Sequence, residues 1–173
     1  MRLLSWRTVS PDQRSRKRQT KPGPSEQVIR IRPSSDDAHD VVYFKRRRVD
    51  DPTEAVPGQA FLAGCPTKVR ATMRAVLVAV AAAPPKQYSG GGYWEAMKGD
   101  MTGWFEARVD GPKRHHYRLF CRLDYEAENA TKPLLVVITG LDKPFRTELS
   151  ESDYAGVRRL GDEYFCRNPR SIA

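Results

Sequence analysis

A short stretch of this chain contains a carboxylate, an imidazole and several guanidinium groups that could act together on a phosphate ester. In sequence order these residues are Glu106, Arg108, His116, Arg118 and Arg122. Cleavage of RNA without a metal needs a base for the 2′-OH proton, a cation that stabilises the phosphorane and an acid for the leaving 5′ oxygen. Arginine suits the second role because its fork of donors matches phosphate geometry and stays charged.

The sequence leaves the proton-transfer roles open. Glu106 or His116 could be the base, and His116 or Lys143 could be the acid. The alternative is that an exposed sheet face alternates its charges only for solubility, with Glu106 paired to Arg118 or Arg122. No carboxylate cluster suggests a metal ligand set, so we expect no metal and no cofactor. Further candidates for RNA binding, as cations or as aromatic rings that stack on a base, are Lys98, Trp104, Phe120, Arg122, Arg146 and Tyr154.

The candidate residues lie in two stretches with the two-residue alternation of β-strands. Residues 104–110 and 116–124 each carry one apolar and one polar face, and the polar loop 111–114 joins them. The two strands can pair only if both apolar faces lie on the same side. This condition places Arg108 across from His116 or Arg118, so the guanidinium groups are predicted to share one open surface.

The remaining elements predict an α+β fold. It has a small, antiparallel-dominated sheet, with N-terminal helices packed on one face and a C-terminal helix. The long helix should end at Pro84-Pro85, and Ser150 with Asp153 forms a capping box for the last helix. The continuously apolar run at residues 134–138 is typical of a strand in the middle of a sheet. The predicted elements are strand 41–44, helices 60–62 and 67–83, strand 134–138, a loop bearing Lys143 and Arg146, and a helix from Ser150 to about Phe165.

The bulk composition favours a polyanionic partner. The 173 residues include 30 Lys and Arg against 21 Asp and Glu, a formal charge of +9, which suits phosphate binding through counterion release. Three widely separated cysteines indicate a reducing compartment, so we expect a cytoplasmic protein. The longest apolar run, Ala75–Ala83, is far shorter than the roughly 20 residues of a membrane span, so no membrane partner is expected.

The chain divides into three predicted parts. Residues 1–40 are rich in Arg, Pro, Ser and Gln and predict a flexible basic arm, in which Val28–Ile31 could add a short strand. Residues 41–168 form the folded domain, and residues 169–173 form a tail. The glycines at 90–92 predict a loop and not a phosphate cradle, because no Lys-Ser or Lys-Thr pair follows them.

The order of helical pair, hairpin, apolar strand and terminal helix resembles the RelE/HigB-like toxins of bacterial toxin–antitoxin systems, including their phage-derived relatives. The likeness covers about residues 41–166. It rests on Trp-Phe-Glu-Ala-Arg at 104–108, on Tyr-Arg-Leu-Phe at 117–120 and on the apolar strand with its basic turn at 135–143. The chain departs from the family at Glu106, where some members have lysine, at residues 142–144, where a double lysine is common, and in its long N-terminal arm.

The resemblance implies a microbial-RNase-like fold that cleaves mRNA in the ribosomal A site. It further implies that Arg108 and Arg118 stabilise the phosphate, that Lys143 or Arg146 is the basic turn residue, and that Tyr154 stacks or acts as an acid. The implied partners are mRNA, the ribosome and a small cognate antitoxin that covers the basic face. We therefore expect a metal-independent mRNA endoribonuclease that inhibits translation. The alternatives are a noncatalytic RNA- or ribosome-binding protein, or a protein-interaction subunit that uses the same face.

Overall fold

The structure is a computed structural model that describes residues 32–83 and 92–173. In these residues a five-stranded sheet has the strand order β1-β5-β4-β3-β2, in which β1 pairs with β5 in parallel and all other pairs are antiparallel. The predicted α+β class is confirmed. The strands are β1 (Asp40–Tyr43), β2 (Trp94–Ala96), β3 (Trp104–Gly111), β4 (His115–Asp124) and β5 (Leu134–Pro144).

Three α-helices accompany the sheet in the part of the chain that the structure describes. They are α1 (Pro57–Gly64), α2 (Thr67–Ala82) and α3 (Glu151–Phe165). The predicted capping box of α3 is confirmed. The Ser150 hydroxyl accepts a hydrogen bond from the Asp153 backbone N–H, and the Asp153 carboxylate accepts one from the Ser150 backbone N–H. Two short 3-10 turns, Gly99–Met101 and Pro112–Arg114, connect the strands of the hairpin region.

The helices lie on both faces of the sheet and form two apolar cores. Helices α1 and α2 pack on the face that carries Ala107, Leu119 and Val137. Helix α3 packs on the opposite face, which carries Trp104 and Phe120. The polar face predicted for the hairpin is therefore partly covered by α3.

The register of the hairpin confirms that Arg108 and Arg118 share a face. Arg108 is the direct partner of Arg118 across β3 and β4, and Asp110 is the partner of His116. Residues that face each other in an antiparallel pair project to the same side. Both arginines and His116 thus lie on the face that α3 covers further along.

Strand β5 is longer than the sequence predicted and contains a bulge. Phe120 pairs with Thr139 but Cys121 pairs with Val137, so β5 has one extra residue at this point. Beyond the bulge, side chains of β5 that would otherwise lie on the side of α1 and α2 lie on the side of α3. As a result Lys143, predicted to lie in a loop, is part of β5 and lies opposite His116 on the same face.

The predicted tail lies against the sheet, where Ile172 forms an isolated β-bridge with Phe44. The backbone N–H of Ala173 donates to the carbonyl of Tyr43 at 2.9 Å, and the N–H of Lys45 donates to the carbonyl of Ser171 at 3.1 Å. The last residues thus run along the outer edge of β1.

Some predictions lie outside the described residues. They concern most of the arm, namely residues 1–31, the strand at 28–31 and the loop residues 90 and 91. No helix among residues 32–83 and 92–173 combines the length and the apolar character that a membrane span requires.

Candidate active site

The guanidinium groups of Arg108 and Arg118 lie next to each other on the polar face of the hairpin. Both are direct partners in the register of β3 and β4. The side chain of Arg108 is 42% exposed and that of Arg118 is 18% exposed. Neither arginine is sealed beneath α3, so both can reach a ligand from solvent.

Glu106 is a buried carboxylate that holds both arginines. Its side chain is 2% exposed. One oxygen, Oε1, accepts a hydrogen bond from Arg108 Nε at 2.5 Å, and the other, Oε2, accepts one from Arg118 Nη1 at 2.9 Å. The alternative expected from the sequence, a pairing of Glu106 with Arg118, is present. Since the carboxylate is buried and each oxygen is bound to one guanidinium, Glu106 is placed to fix the two arginines.

A second carboxylate joins this cluster from β2. Glu95 pairs with Nη2 of Arg108, and it is the direct partner of Glu106 in the sheet. The two carboxylates balance the two guanidinium charges. A guanidinium has five N–H donors, however, and these contacts leave donors of both arginines free for an oxyanion.

His116 is held by a carboxylate and an aromatic ring. Its Nδ1 lies 2.6 Å from Oδ1 of Asp110. Its ring stacks on Phe145, with centroids 4.0 Å apart and an interplanar angle of 17°. When Nδ1–H donates to Asp110, Nε2 is the unprotonated nitrogen and can accept a proton. His116 is two residues from Arg118 on one face of β4, which corresponds to about 7 Å.

The basic turn lies beside this imidazole. Lys143 is the direct partner of His116 across β4 and β5, and its ammonium donates to the carbonyl of Thr147. Arg146 is exposed in the following turn and has a backbone φ of 64°. The structure therefore brings Lys143 to the same face as Arg118 and leaves Arg146 in the turn that follows.

The expectation that Trp104 or Phe120 stacks on a base is wrong. Trp104 is 4% exposed and Phe120 is 0% exposed. A Cβ at Gly161 of α3 would lie 2.5 Å from the Trp104 ring, so the helix rests directly on the indole. Phe120 makes a T-shaped contact with Tyr154, with ring centroids 6.3 Å apart. These rings are core residues because α3 covers this half of the face.

Arg122, Tyr154 and Lys98 also stand apart from the cluster. The Arg122 guanidinium lies between the Trp104 and Phe165 rings, at 5.1 and 4.8 Å from their centroids. Burial lowers the pKa of Arg122, against the effect of two nearby carboxylates. Tyr154 is half-buried in the α3 core. Lys98 is exposed after β2 and lies beside Trp104 at the start of β3, four positions before Arg108.

Sequence reasoning gave no role to three residues that complete the site: Glu95, Asp110 and Phe145. Asp110 belongs to the polar face of residues 104–110, and its position across from His116 follows from the hairpin register. Glu95 belongs to a strand of only three residues, too short for a recognisable alternation. Phe145 follows the end of β5, and nothing in its sequence neighbourhood predicts the stack on His116.

Comparisons with protein-family models, with curated proteins and with solved structures found no match to this chain. The resemblance to RelE/HigB-like toxins therefore rests on the residues quoted above and stays a prediction. Within residues 32–83 and 92–173, no group of three or more His, Cys, Asp or Glu side chains could hold a metal ion.

Proposed function

We propose that this protein is an endoribonuclease that acts on mRNA at the ribosome, as the toxin of a toxin–antitoxin pair. The observation that carries the proposal is the pairing of Arg108 and Arg118 on one open face. One buried carboxylate fixes both, and His116 lies two residues away. This arrangement offers a held cation pair and a proton acceptor within reach of one phosphodiester.

The proposed reaction assigns a role to each group. Nε2 of His116 accepts the proton of the 2′-OH, and the 2′ oxygen attacks phosphorus. Arg108 and Arg118 stabilise the phosphorane charge with their free donors. The bond to the 5′ oxygen then breaks, and this oxygen takes a proton from Lys143. The products are a 2′,3′-cyclic phosphate and a 5′-hydroxyl end. Glu106 and Asp110 are positioning residues for the arginines and the imidazole.

The test uses purified full-length protein with ribosomes that are translating a defined message. We expect new RNA ends within the message, with a 5′-hydroxyl on one fragment and a cyclic phosphate on the other. Arg118→Ala should lower the cleavage rate about 10²–10³-fold, the effect of removing one donor to a developing oxyanion. It should also abolish growth arrest on expression.

A matched control separates the site from general charge. Arg74 is exposed on α2, on the other face of the sheet, so Arg74→Ala removes the same charge outside the site. The control should cleave at the wild-type rate. Equal cleavage by the Arg118 and Arg74 variants, with both folded by circular dichroism, would show that the site is misplaced.

A second candidate is a noncatalytic RNA- or ribosome-binding protein that uses the same face. The charge balance of Glu95 and Glu106 against Arg108 and Arg118 favours it, because neutralised arginines are also found in purely structural networks. In the same experiment this protein would sediment with ribosomes, with steep salt dependence, and leave the message intact. A protein-interaction subunit would do neither.

A further inference from the structure

Strand β3 has an open edge next to the candidate site. Strand β2 pairs with β3 only as far as Ala107, and the last contact along this edge is the bond from the Arg108 N–H to the carbonyl of Tyr93, at 2.8 Å. The N–H of Asp110 lies two residues further on and points to the same side, because donors alternate along an antiparallel strand. Among the described residues, no strand covers β3 beyond this point.

A cavity of about 630 Å³ lies at this open edge. It shares its lining with the candidate site through Arg108, His116 and Arg118, and it extends past the edge to α2 through Lys68. A ligand bound to the two arginines can therefore continue along the edge of β3 towards α2 without displacing any element among the described residues.

Tyr93 supplies an aromatic ring to this cavity. Its side chain is 59% exposed, in contrast to the buried Trp104 and Phe120. An exposed tyrosine next to guanidinium groups is a suitable platform for a nucleobase, since every base has a face that can stack. The base must be unpaired, because both faces of a base within a duplex are already covered by its neighbours.

Lys68 adds a cation on the far side of the cavity. It is exposed on the first turn of α2, and its ammonium has no hydrogen-bond or ion-pair partner within the described part of the chain. This distinguishes it from Arg108 and Arg118, whose charges are balanced by carboxylates. A free ammonium in the same cavity as the arginines suits a second phosphate of the same strand.

We propose that the cavity at the open edge of β3 binds an unpaired nucleotide of single-stranded RNA, with Tyr93 stacked on the base and Lys68 bound to the neighbouring phosphate. The assignment rests on the proposed function and names its substrate as a single strand. It also makes Tyr93 the residue that positions the base beside the scissile phosphate.

The test measures binding of a fluorescein-labelled hexaribonucleotide whose 2′ oxygens are methylated, so that it cannot be cleaved. Tyr93→Ala should weaken binding about five- to a hundredfold, the range for loss of one stacked base. Tyr93→Phe retains the ring and should bind within about twofold of the wild type. Tyr125→Ala is the matched control, since Tyr125 is 65% exposed in the turn after β4, and it should bind normally.

Two further experiments identify the stacked base and the bound phosphate. Replacing one nucleotide at a time by an abasic residue should reveal a position whose loss weakens wild-type binding but not the binding of Tyr93→Ala. Lys68→Gln should reduce the slope of log affinity against log salt by about 0.7, the value for one contact to a single strand. Arg74→Gln should leave this slope unchanged. The annealed duplex of the same sequence should bind without any effect of Tyr93→Ala.

The outcomes separate this assignment from the proposed function. If Tyr93→Ala binds the hexanucleotide like the wild type while Arg118→Ala loses binding, the cavity assignment is wrong and the proposed function stands. If the wild type neither binds nor cleaves RNA, both are wrong.

Discussion

Two buried carboxylates on the same face of the sheet are each bound to arginine, but their surroundings differ. Glu106 holds Arg108 and Arg118, which are 42% and 18% exposed. Asp124, at the end of β4, accepts hydrogen bonds from Arg170 Nε at 2.7 Å and from the Tyr164 hydroxyl at 2.9 Å. Arg170 is only 9% exposed and lies against the Tyr164 ring.

A buried carboxylate bound to arginine thus serves two different purposes in this protein. Around Asp124 both charges are removed from water, and the pair anchors the last residues of the chain beside β1. Around Glu106 only the carboxylate is buried, and the arginines keep donors that face solvent. The carboxylate fixes their positions, and the open side leaves room for an anion. Burial of the arginine, and not the presence of the pair, separates the structural region from the candidate active site.

The largest expected effect on stability is at the Asp124–Arg170 pair, which we call the sealed pair because both charges are buried. Asp124→Asn leaves the Arg170 guanidinium buried without a counterion, and such a loss costs about 3–5 kcal/mol. Urea unfolding at neutral pH measures the change in the free energy of unfolding. Because Arg170 anchors the tail, the amide of Ala173, which bonds to Tyr43, should also lose protection from hydrogen exchange. A loss below about 1 kcal/mol would place Asp124 in the same class as a surface pair.

The sealed pair also predicts a dependence on pH. Burial alone would raise the pKa of Asp124, but the bonds from Arg170, the Glu126 N–H and Tyr164 together lower it. A lowered folded-state pKa gives stability that is complete above the unfolded pKa and is lost as the pH falls through the folded one. The difference in unfolding free energy between the wild type and Asp124→Asn should therefore be constant above about pH 5 and shrink below about pH 4. A difference that stays constant down to pH 2 would contradict this assignment.

The next prediction concerns helix α3, which covers Trp104 but leaves Arg108 and Arg118 accessible. A Cβ at Gly161 would lie 2.5 Å from the Trp104 ring, whereas a Cβ at Gly156 meets nothing within 4 Å. Gly161→Ala should destabilise the protein by about 1–3 kcal/mol through overpacking. Gly156→Ala should stabilise it by up to about 1 kcal/mol, since alanine favours the helix. Thermal unfolding of both variants measures the contrast, and equal changes would mean that α3 does not rest on Trp104.

The sequence could predict the open region better than the sealed one. The alternation of β3 and β4, with the parity rule for their apolar faces, is sufficient to place Arg108 beside Arg118 on one face. The capping residues define the start of α3. Both signals are local, since they depend on residues within one hairpin or one turn.

The packing of α3 on the polar face of the hairpin depends on long-range contacts, which local alternation cannot predict. Trp104 and Phe120 occupy polar-face positions, so alternation alone treats them as exposed. A signal was present, since the run Leu134–Ile138 is apolar at every position, and such a strand needs cover on both faces. The bulge opposite Phe120, which brings Lys143 to the face of Arg118, had no sequence signal.

The smallest expected change in stability is at Glu106. In Glu106→Gln the arginines lose a charged partner but reach water, which screens the loss, so unfolding should become easier by only about 1 kcal/mol. The cleavage rate should fall much more than stability, because Gln accepts hydrogen bonds through a single oxygen and cannot hold both guanidinium groups in place. Binding of the methylated hexanucleotide should be nearly unchanged, since both positive charges remain. A variant that is unstable by several kcal/mol but cleaves normally would reverse the comparison, because Glu106 would then be structural in the same sense as Asp124.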